Sequence, residues 1–226
     1  MAVYTRINHN DLSLIEKDFK IGKIVSFSGI KKGIENTNYL IKTNKKKIIL
    51  TIFEKRVQKK DLPFFMNLMF GLSRQKIKCP EPIKNKKGKY LFKIKNKTAC
   101  LVSFLEGKDK NQLTGKDCFQ VGKNAALLHL AAKKLRLHRK NSLSVSSWGP
   151  LLNRIDKRIN KLSNNLIETM KTDLVDIKKK WPKNMPNGII HGDLFIDNIF
   201  FYNKKYYGFI DFYFSANDFL AYELAT

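Results

Sequence analysis

The chain of 226 residues is long enough for one large domain or for two lobes that share a cleft. Its 43% hydrophobic and 28% charged residues exclude an intrinsically disordered protein. A formal net charge of +25 suggests a polyanionic partner, but the lysines are spread through turns such as 44–47 and 85–88. We therefore expect no dedicated nucleic-acid face, although a positive field still favours an anionic nucleotide.

The cysteines and the apolar segments indicate the cellular compartment. Cys79, Cys100 and Cys118 lack metal-binding spacing and form no even set, which favours free thiols in a reducing cytoplasm. The first residues contain no secretory leader, and no stretch approaches the roughly 20 apolar residues of a membrane span. We expect a cytoplasmic protein without a membrane partner.

The first third of the chain is predicted to form a helix and three strands. Residues 9–19 place apolar side chains at helical spacing, and a short strand over 24–28 runs into a loop from Gly29 to Gly33. Strands over 39–43 and 47–53 flank the polar turn at Asn44, which is the pattern of an antiparallel hairpin.

A second helix and a second hairpin complete the predicted N-lobe. The helix begins near Asp61 and Pro63 and carries one apolar face. Strands over 90–94 and 99–105 then flank a turn. Residues 1–106 are thus predicted as a lobe built on a mostly antiparallel sheet with a helix.

The remaining residues, 107–226, are predicted as a mainly helical C-lobe after a hinge near Gly107. One helix starts at Gly115 and ends near Lys133, and a longer one runs from Pro150 to Trp181. The face that the first helix is expected to bury consists of Phe119, Gly122, Ala126, His129 and Leu130. The predicted fold class is α+β with two lobes.

The residues that indicate chemistry lie near the C-terminal end of the chain. The apolar pair at 189–190 leads to His191, Asp193 and Asn198, and an apolar hairpin then ends at Asp211. Asp193 can accept or orient a hydroxyl proton, while Asn198 and Asp211 offer the oxygen ligands that Mg²⁺ prefers. Individually these residues could be a core histidine, a turn residue and a strand-end cap, but their joint spacing favours phosphoryl transfer.

An Asp followed five positions later by Asn, and by a second Asp after the next hairpin, is the protein-kinase arrangement. The His-Gly-Asp sequence at 191–193 resembles the superfamily of aminoglycoside phosphotransferases, choline kinases and homoserine kinases. Several stretches resemble the homoserine kinase branch in particular: 1–5, 33–39, 50–56, 61–65 and, most specifically, 210–225.

The resemblance implies that the chain transfers the γ-phosphate of ATP to the hydroxyl of L-homoserine, on the route to threonine. It assigns catalysis to Asp193 and Mg²⁺ binding to Asn198 and Asp211. It further implies that the loop from Gly29 to Gly33 covers the nucleotide phosphates. The segment from Ser103 to Leu105 is then the hinge strand beside adenine.

The sequence departs from the superfamily pattern in two places. Thr51 stands where a phosphate-binding Lys or Arg is usual, and either Lys55 or Arg56 could supply that charge or be a surface cation. The family continues with several helices beyond Ala225, so the C-lobe and its acceptor pocket are expected to be incomplete in this chain. The residues that bind homoserine do not follow from the sequence, and Asp218 could attract its ammonium group or simply cap a strand.

Three alternatives remain open at the level of sequence. The chain could phosphorylate choline, methylthioribose or an aminoglycoside instead of homoserine. It could be a truncated remnant that binds nucleotide without turnover. A nucleic-acid-binding role would predict steeply salt-dependent binding. The oligomeric state is open.

Overall fold

The computed structural model describes residues 3–33, 35–155 and 165–226. Its N-terminal part is an antiparallel sheet of five strands in the order β1-β2-β3-β5-β4. This order places the two predicted hairpins side by side, because β3 pairs with β5 from Ile48 opposite Ser103 to Ile52 opposite Ala99. The strands are β1 (Ile24–Gly29), β2 (Thr37–Thr43), β3 (Lys47–Ile52), β4 (Leu91–Ile94) and β5 (Lys97–Ser103).

Helix α1 (His9–Asp18) packs on this sheet, and together they form the smaller of two hydrophobic clusters. Its first turn is stabilised by a capping box, in which Asn8 and Asp11 each accept a hydrogen bond from the other's backbone amide. Leu12 and Ile15 point inward against strand residues such as Ile41 and Leu50. The predicted helix and strands of this region are confirmed, with ends that differ by one or two residues.

Helix α2 (Leu62–Arg74) belongs to the larger hydrophobic cluster, which also contains side chains from the C-terminal half. Pro63 stands in its first turn, where the missing amide hydrogen costs no helical hydrogen bond. The predicted apolar face is confirmed, since all five of its residues are buried: Leu62, Phe65, Met66, Met69 and Leu72.

The C-terminal half combines helices with short strand pairs. Helix α3 is capped by Thr114, which accepts a hydrogen bond from the Asp117 amide. Two-stranded sheets pair β6 with β9 and β7 with β8, both antiparallel. The elements are α3 (Gly115–Lys133), α4 (Val145–Leu152), α5 (Leu166–Lys180), β6 (Asn187–Ile190), β7 (Ile199–Tyr202), β8 (Lys205–Phe209), β9 (Ala216–Phe219) and α6 (Leu220–Leu224).

Two sequence predictions for the helices are wrong. Phe119 and Leu130 of the predicted buried face of α3 are 73% and 62% exposed, whereas Ala125 and Leu128 are buried. The helix predicted from Pro150 to Trp181 instead begins at Val145 and leaves helical geometry after Leu152, and α5 starts only at Leu166. Residues 156–164 of that prediction lie outside the described residues.

None of the helices in the described ranges combines the length and the apolar character needed to cross a bilayer.

Candidate active site

The pairing of β6 with β9 brings the predicted catalytic residues together. The chain leaves β6 at Ile190, forms the loop that contains Asp193, passes through the β7–β8 hairpin and returns at Ala216, opposite Ile190. The hairpin is fastened to the loop because the Ile210 amide donates to the Asn198 carbonyl at 3.0 Å. Asp211 is therefore presented beside the turn that carries Asn198.

Asp193 and Asn198 are in direct contact. The Asn198 amide nitrogen donates to the Asp193 carbonyl oxygen at 2.7 Å and to Asp193 Oδ2 at 2.9 Å. Both partners are acceptors, so the orientation of the amide is determined and Oδ1 faces away from Asp193. Burial raises the pKa of Asp193 above its ordinary value, although His191 and the hydrogen bond from Asn198 oppose this change.

Asp211 follows β8 in a left-handed conformation, with φ of 64° and ψ of 60°. Asp211 as a whole residue is exposed to solvent, but protein atoms around its carboxyl group displace part of the hydrating water. This partial loss of hydration raises the pKa of Asp211 to about 7, and the negative charges of Asp193 and Glu35 act in the same direction. The predicted metal ligand thus sits in a locally negative environment.

His191 holds the loop that carries Asp193 to the hairpin. Its Nε2 donates to the Ile210 carbonyl at 2.8 Å, and its own carbonyl accepts from Ser215 Oγ at 3.1 Å. The side chain is fully buried, and this burial lowers its pKa. Its Nδ1 has no hydrogen-bond partner among the described residues.

Glu223 contacts the loop that carries Asp193, and the sequence analysis did not identify it as part of the site. Its carboxylate accepts from the His191 amide at 2.5 Å, from the Gly192 amide at 2.9 Å and from His129 Nε2 at 3.1 Å. Only 4% of Glu223 is exposed, and these hydrogen bonds and nearby charges lower its pKa despite the burial. Because Glu223 lies 30 positions beyond Asp193 in sequence, no local pattern could connect the two.

The residues predicted to contact the nucleotide lie on β1, its following loop and the end of β5. Gly29 ends β1 in ordinary strand geometry, whereas Gly33 has φ of +100°. The Ser103 side chain accepts from the Glu81 amide at 2.8 Å and is therefore already engaged. Leu105 is 9% exposed, and its amide has no acceptor among the described residues.

The position expected to carry the phosphate-binding cation is neutral. Thr51 is buried and donates to Asn38 Oδ1 at 2.8 Å. Of the two substitutes considered, Lys55 is exposed and forms no ion pair with the described residues. Arg56 forms an ion pair with Glu35, and its positive charge acts on Asp193.

The donor set fits a hard divalent cation. Asn198 Oδ1 receives no hydrogen bond from the described residues, and the ionised neighbours that most affect Asp211 are all carboxylates. No group of three or more His, Cys, Asp or Glu side chains in the described ranges has a metal-binding arrangement. A cation here would therefore rely on the amide oxygen of Asn198 together with Asp211, and oxygen donors of this kind suit Mg²⁺.

Comparison with known proteins identifies relatives over almost the whole chain. Residues 26–226 match the model of the family described as "Phosphotransferase enzyme family". The chain is 43% identical to the homoserine kinase of Allorhizobium ampelinum and 40% identical to that of Agrobacterium fabrum. Each alignment covers 100% of this chain and 70% of the relative.

Solved structures of kinases share the fold at low sequence identity. A spectinomycin phosphotransferase bound to ADP and spectinomycin superposes with a TM-score of 0.71 at 17% identity, covering 97% of this chain and 73% of that one. An amicoumacin kinase bound to AMP-PNP and Ca²⁺ also gives 0.71 at 17% identity, covering 96% and 68%. The predicted α+β kinase-like fold is confirmed.

Proposed function

Because this chain belongs to the phosphotransferase enzyme family, with homoserine kinases as its curated relatives, we propose that it phosphorylates L-homoserine with ATP. The acceptor hydroxyl oxygen forms a bond to the γ-phosphorus, the bond from that phosphorus to the bridging oxygen of ADP breaks, and O-phosphohomoserine and ADP leave. The observation that carries this proposal is the direct hydrogen bond between Asp193 and Asn198 beside Asp211.

Asp193 is the proposed catalytic residue. Its carboxylate orients the acceptor hydroxyl and receives the proton that this hydroxyl loses. A pKa raised by burial makes Asp193 a stronger base than an exposed aspartate. Asn198 holds Oδ2 of Asp193 in place, so the other carboxylate oxygen can face the substrate.

The N-terminal sheet is proposed to bind the nucleotide. The Leu105 amide, which has no acceptor in the described part of the chain, can donate to adenine, while Ser103 fixes the end of β5 through Glu81. Gly29 and Gly33 bound the loop proposed to cover the phosphates. We place the lobe boundary at residues 106 and 107.

We further propose a cytoplasmic location. The free thiols of Cys79, Cys100 and Cys118 support a reducing compartment.

Asn198 and Asp211 are proposed to hold Mg²⁺, which when bound neutralises the phosphate oxygens. Replacing Asp211 by Asn removes one charge from a cluster of carboxylates. In the absence of divalent cations, we expect D211N to melt at or above the wild-type temperature, because the repulsion is relieved. Adding Mg²⁺ should raise the melting temperature of the wild type but not of D211N, and an equal rise in both would place the cation elsewhere.

The activity itself is tested by coupled measurement of ADP formation with L-homoserine and Mg·ATP. We expect turnover by the wild type and a loss of at least about a thousandfold in D193A, with a circular dichroism spectrum and melting curve like the wild type. The control is Asp197→Ala, because Asp197 is an exposed neighbour in the same loop. Undiminished turnover in D193A, or phosphorylation of choline without homoserine, would contradict the proposal.

A further inference from the structure

We propose that Glu35 and Arg56 bind the charged ends of the acceptor amino acid, with Arg56 on its carboxylate and Glu35 on its ammonium group. This inference rests on the proposed function, since it assigns the residues that recognise L-homoserine. It concerns a pocket that includes residues from both halves of the chain.

The pocket is a cavity of about 60 Å³ between the loops that precede β2 and follow β3, the segment 139–143 and the segment after Asp211. Its lining includes Glu35, Arg56, Arg139, Ser142 and Phe214. At the roughly 30 Å³ that a water molecule occupies in the liquid, a cavity of this size holds about two water molecules, which is the space that one small charged group needs. Charges of both signs line it, as recognition of a zwitterion requires.

Glu35 and Arg56 are paired with each other but retain free binding capacity. Arg56 Nη1 contacts Glu35 Oε1, and the guanidinium lies over the Phe214 ring at 4.8 Å from its centroid. This stacking holds the planar group in a fixed orientation. A guanidinium has five N–H donors, so the edge that does not face Glu35 can bind a carboxylate. Among the described residues, Glu35 Oε2 has no hydrogen-bond partner, and it can accept from an ammonium group.

The pair lies within electrostatic reach of the catalytic carboxylate. Loss of hydration is the main cause of the raised pKa of Glu35, and the charge of Asp193 contributes to it. Arg56 conversely lowers the pKa of Asp193. These mutual effects support the assignment, which rests on the cavity, the ion pair and the Phe214 contact.

Two other charged residues are less suited to bind the acceptor. Arg139 also lines the cavity, but its Nε and Nη1 already donate to Asp61 Oδ2 at 2.8 Å and to the Ser215 carbonyl at 3.1 Å, and its ring contact is with Phe65. Asp218, considered in the sequence analysis, accepts from the Asn141 amide group at 2.7 Å and from the Phe219 amide at 2.8 Å. This geometry supports its reading as a strand-end cap.

The assignment can be tested by combining variants with acceptors that lack one charge. L-Homoserine is compared with 4-hydroxybutyrate, which lacks the ammonium group, and with 3-aminopropan-1-ol, which lacks the carboxylate. We expect E35Q and R56Q each to raise the KM for L-homoserine at least tenfold, with the KM for Mg·ATP unchanged. E35Q should lose the wild-type preference for L-homoserine over 4-hydroxybutyrate, and R56Q the preference over 3-aminopropan-1-ol.

The matched controls are E168Q and K60Q, which neutralise exposed side chains outside the cavity. Both should behave like the wild type. An R56Q variant with a raised KM for Mg·ATP instead would overturn the inference, because Arg56 would then face the nucleotide. Unchanged acceptor preferences in both variants would overturn it as well.

Calorimetric titration of the same variants with L-homoserine separates failure of this inference from failure of the proposed function. Wild-type binding that E35Q and R56Q abolish, without turnover by any form, would support the pocket and contradict the kinase activity. Turnover of L-homoserine with wild-type affinity in both variants would support the activity and contradict the pocket. Absence of both binding and turnover in the wild type would contradict both.

Discussion

Glu223 connects the loop that carries Asp193 to helix α6. Three donors converge on its carboxylate, two of them amides of the loop that carries Asp193. A buried carboxylate with this set of hydrogen bonds is stabilised in its charged form, which explains its lowered pKa. We regard Glu223 as a positioning residue, because it contacts the backbone next to Asp193 and not the reacting groups.

Replacing Glu223 by Ala should leave buried donors without an acceptor. We expect the free energy of unfolding to fall by about 3 kcal/mol, measured by urea titration, with a smaller loss in E223Q, which keeps an acceptor oxygen. Since the folded pKa lies below the ordinary value of 4.5, the charged form stabilises the protein above that pH. This contribution is lost as the pH falls through the lowered pKa. An unchanged acid dependence of stability in E223Q would contradict this role.

The chemistry of the site could be predicted from sequence only where its residues are close in sequence. Asp193 and Asn198 stand five positions apart, and Asp211 ends the next apolar hairpin, so one motif covers all three. Glu35, Arg56 and Glu223 reach the same region through tertiary packing. No periodicity or spacing relates them to Asp193, and their partners became clear only when the fold was known.

At the scale of elements, Gly107 is the residue after the N-terminal sheet that allows the chain to pass close to β7. It has φ of +107°, and a β-carbon there would lie 2.6 Å from the Phe201 carbonyl oxygen. The adjacent Lys108 exchanges two backbone hydrogen bonds with Phe201, at 3.0 and 2.8 Å. Position 107 therefore requires glycine for both its backbone conformation and its lack of a side chain.

Alanine at position 107 should be strongly destabilising, whereas alanine at another glycine should not. We expect G107A to lower the free energy of unfolding by about 2 to 3 kcal/mol, through backbone strain and displacement of Phe201. Gly122 is a suitable control because it lies in α3 with open space around its α-carbon. G122A should raise stability by about 0.5 to 1 kcal/mol, measured by urea titration. Equal effects in the two variants would contradict this explanation.

The wrong prediction for α3 shows the limit of helical periodicity. Its sequence carries apolar residues on more than one side of the helix. Periodicity alone cannot decide whether the side with Phe119 and Leu130 or the side with Ala125 and Leu128 is buried. The structure buries the side with small residues, where Ala125, Ala131 and Ala132 allow close contact with α2 and β6. The side that is buried depends on neighbours that the helix sequence does not contain.

At the scale of the whole molecule, the two halves share a hydrophobic core. The larger cluster joins α2 and β5 to α3, β6 and the β7–β8 hairpin. Phe65 is fully buried in it, with its ring 5.9 Å from that of Tyr213 and beneath the Arg139 guanidinium at 5.0 Å. A second cluster, which contains Ile41, is formed by the N-terminal sheet, α1 and the segments that flank this helix. The proposed lobe boundary at residues 106 and 107 therefore divides the sequence, but residues from both sides of it form the larger cluster.

A shared core predicts that the halves unfold together. Trp148 and Trp181 report by fluorescence on the C-terminal half, while amide exchange of β2 and β3 reports on the N-terminal sheet. F65A should remove about 3 to 5 kcal/mol and lower the unfolding midpoints of both probes equally. I41A, at a fully buried site, should also shift both probes together, although Ile41 belongs to the other cluster. In a cooperative core, every local loss of stability lowers the stability of the whole molecule. A variant that shifted only one probe would therefore show that the halves unfold independently.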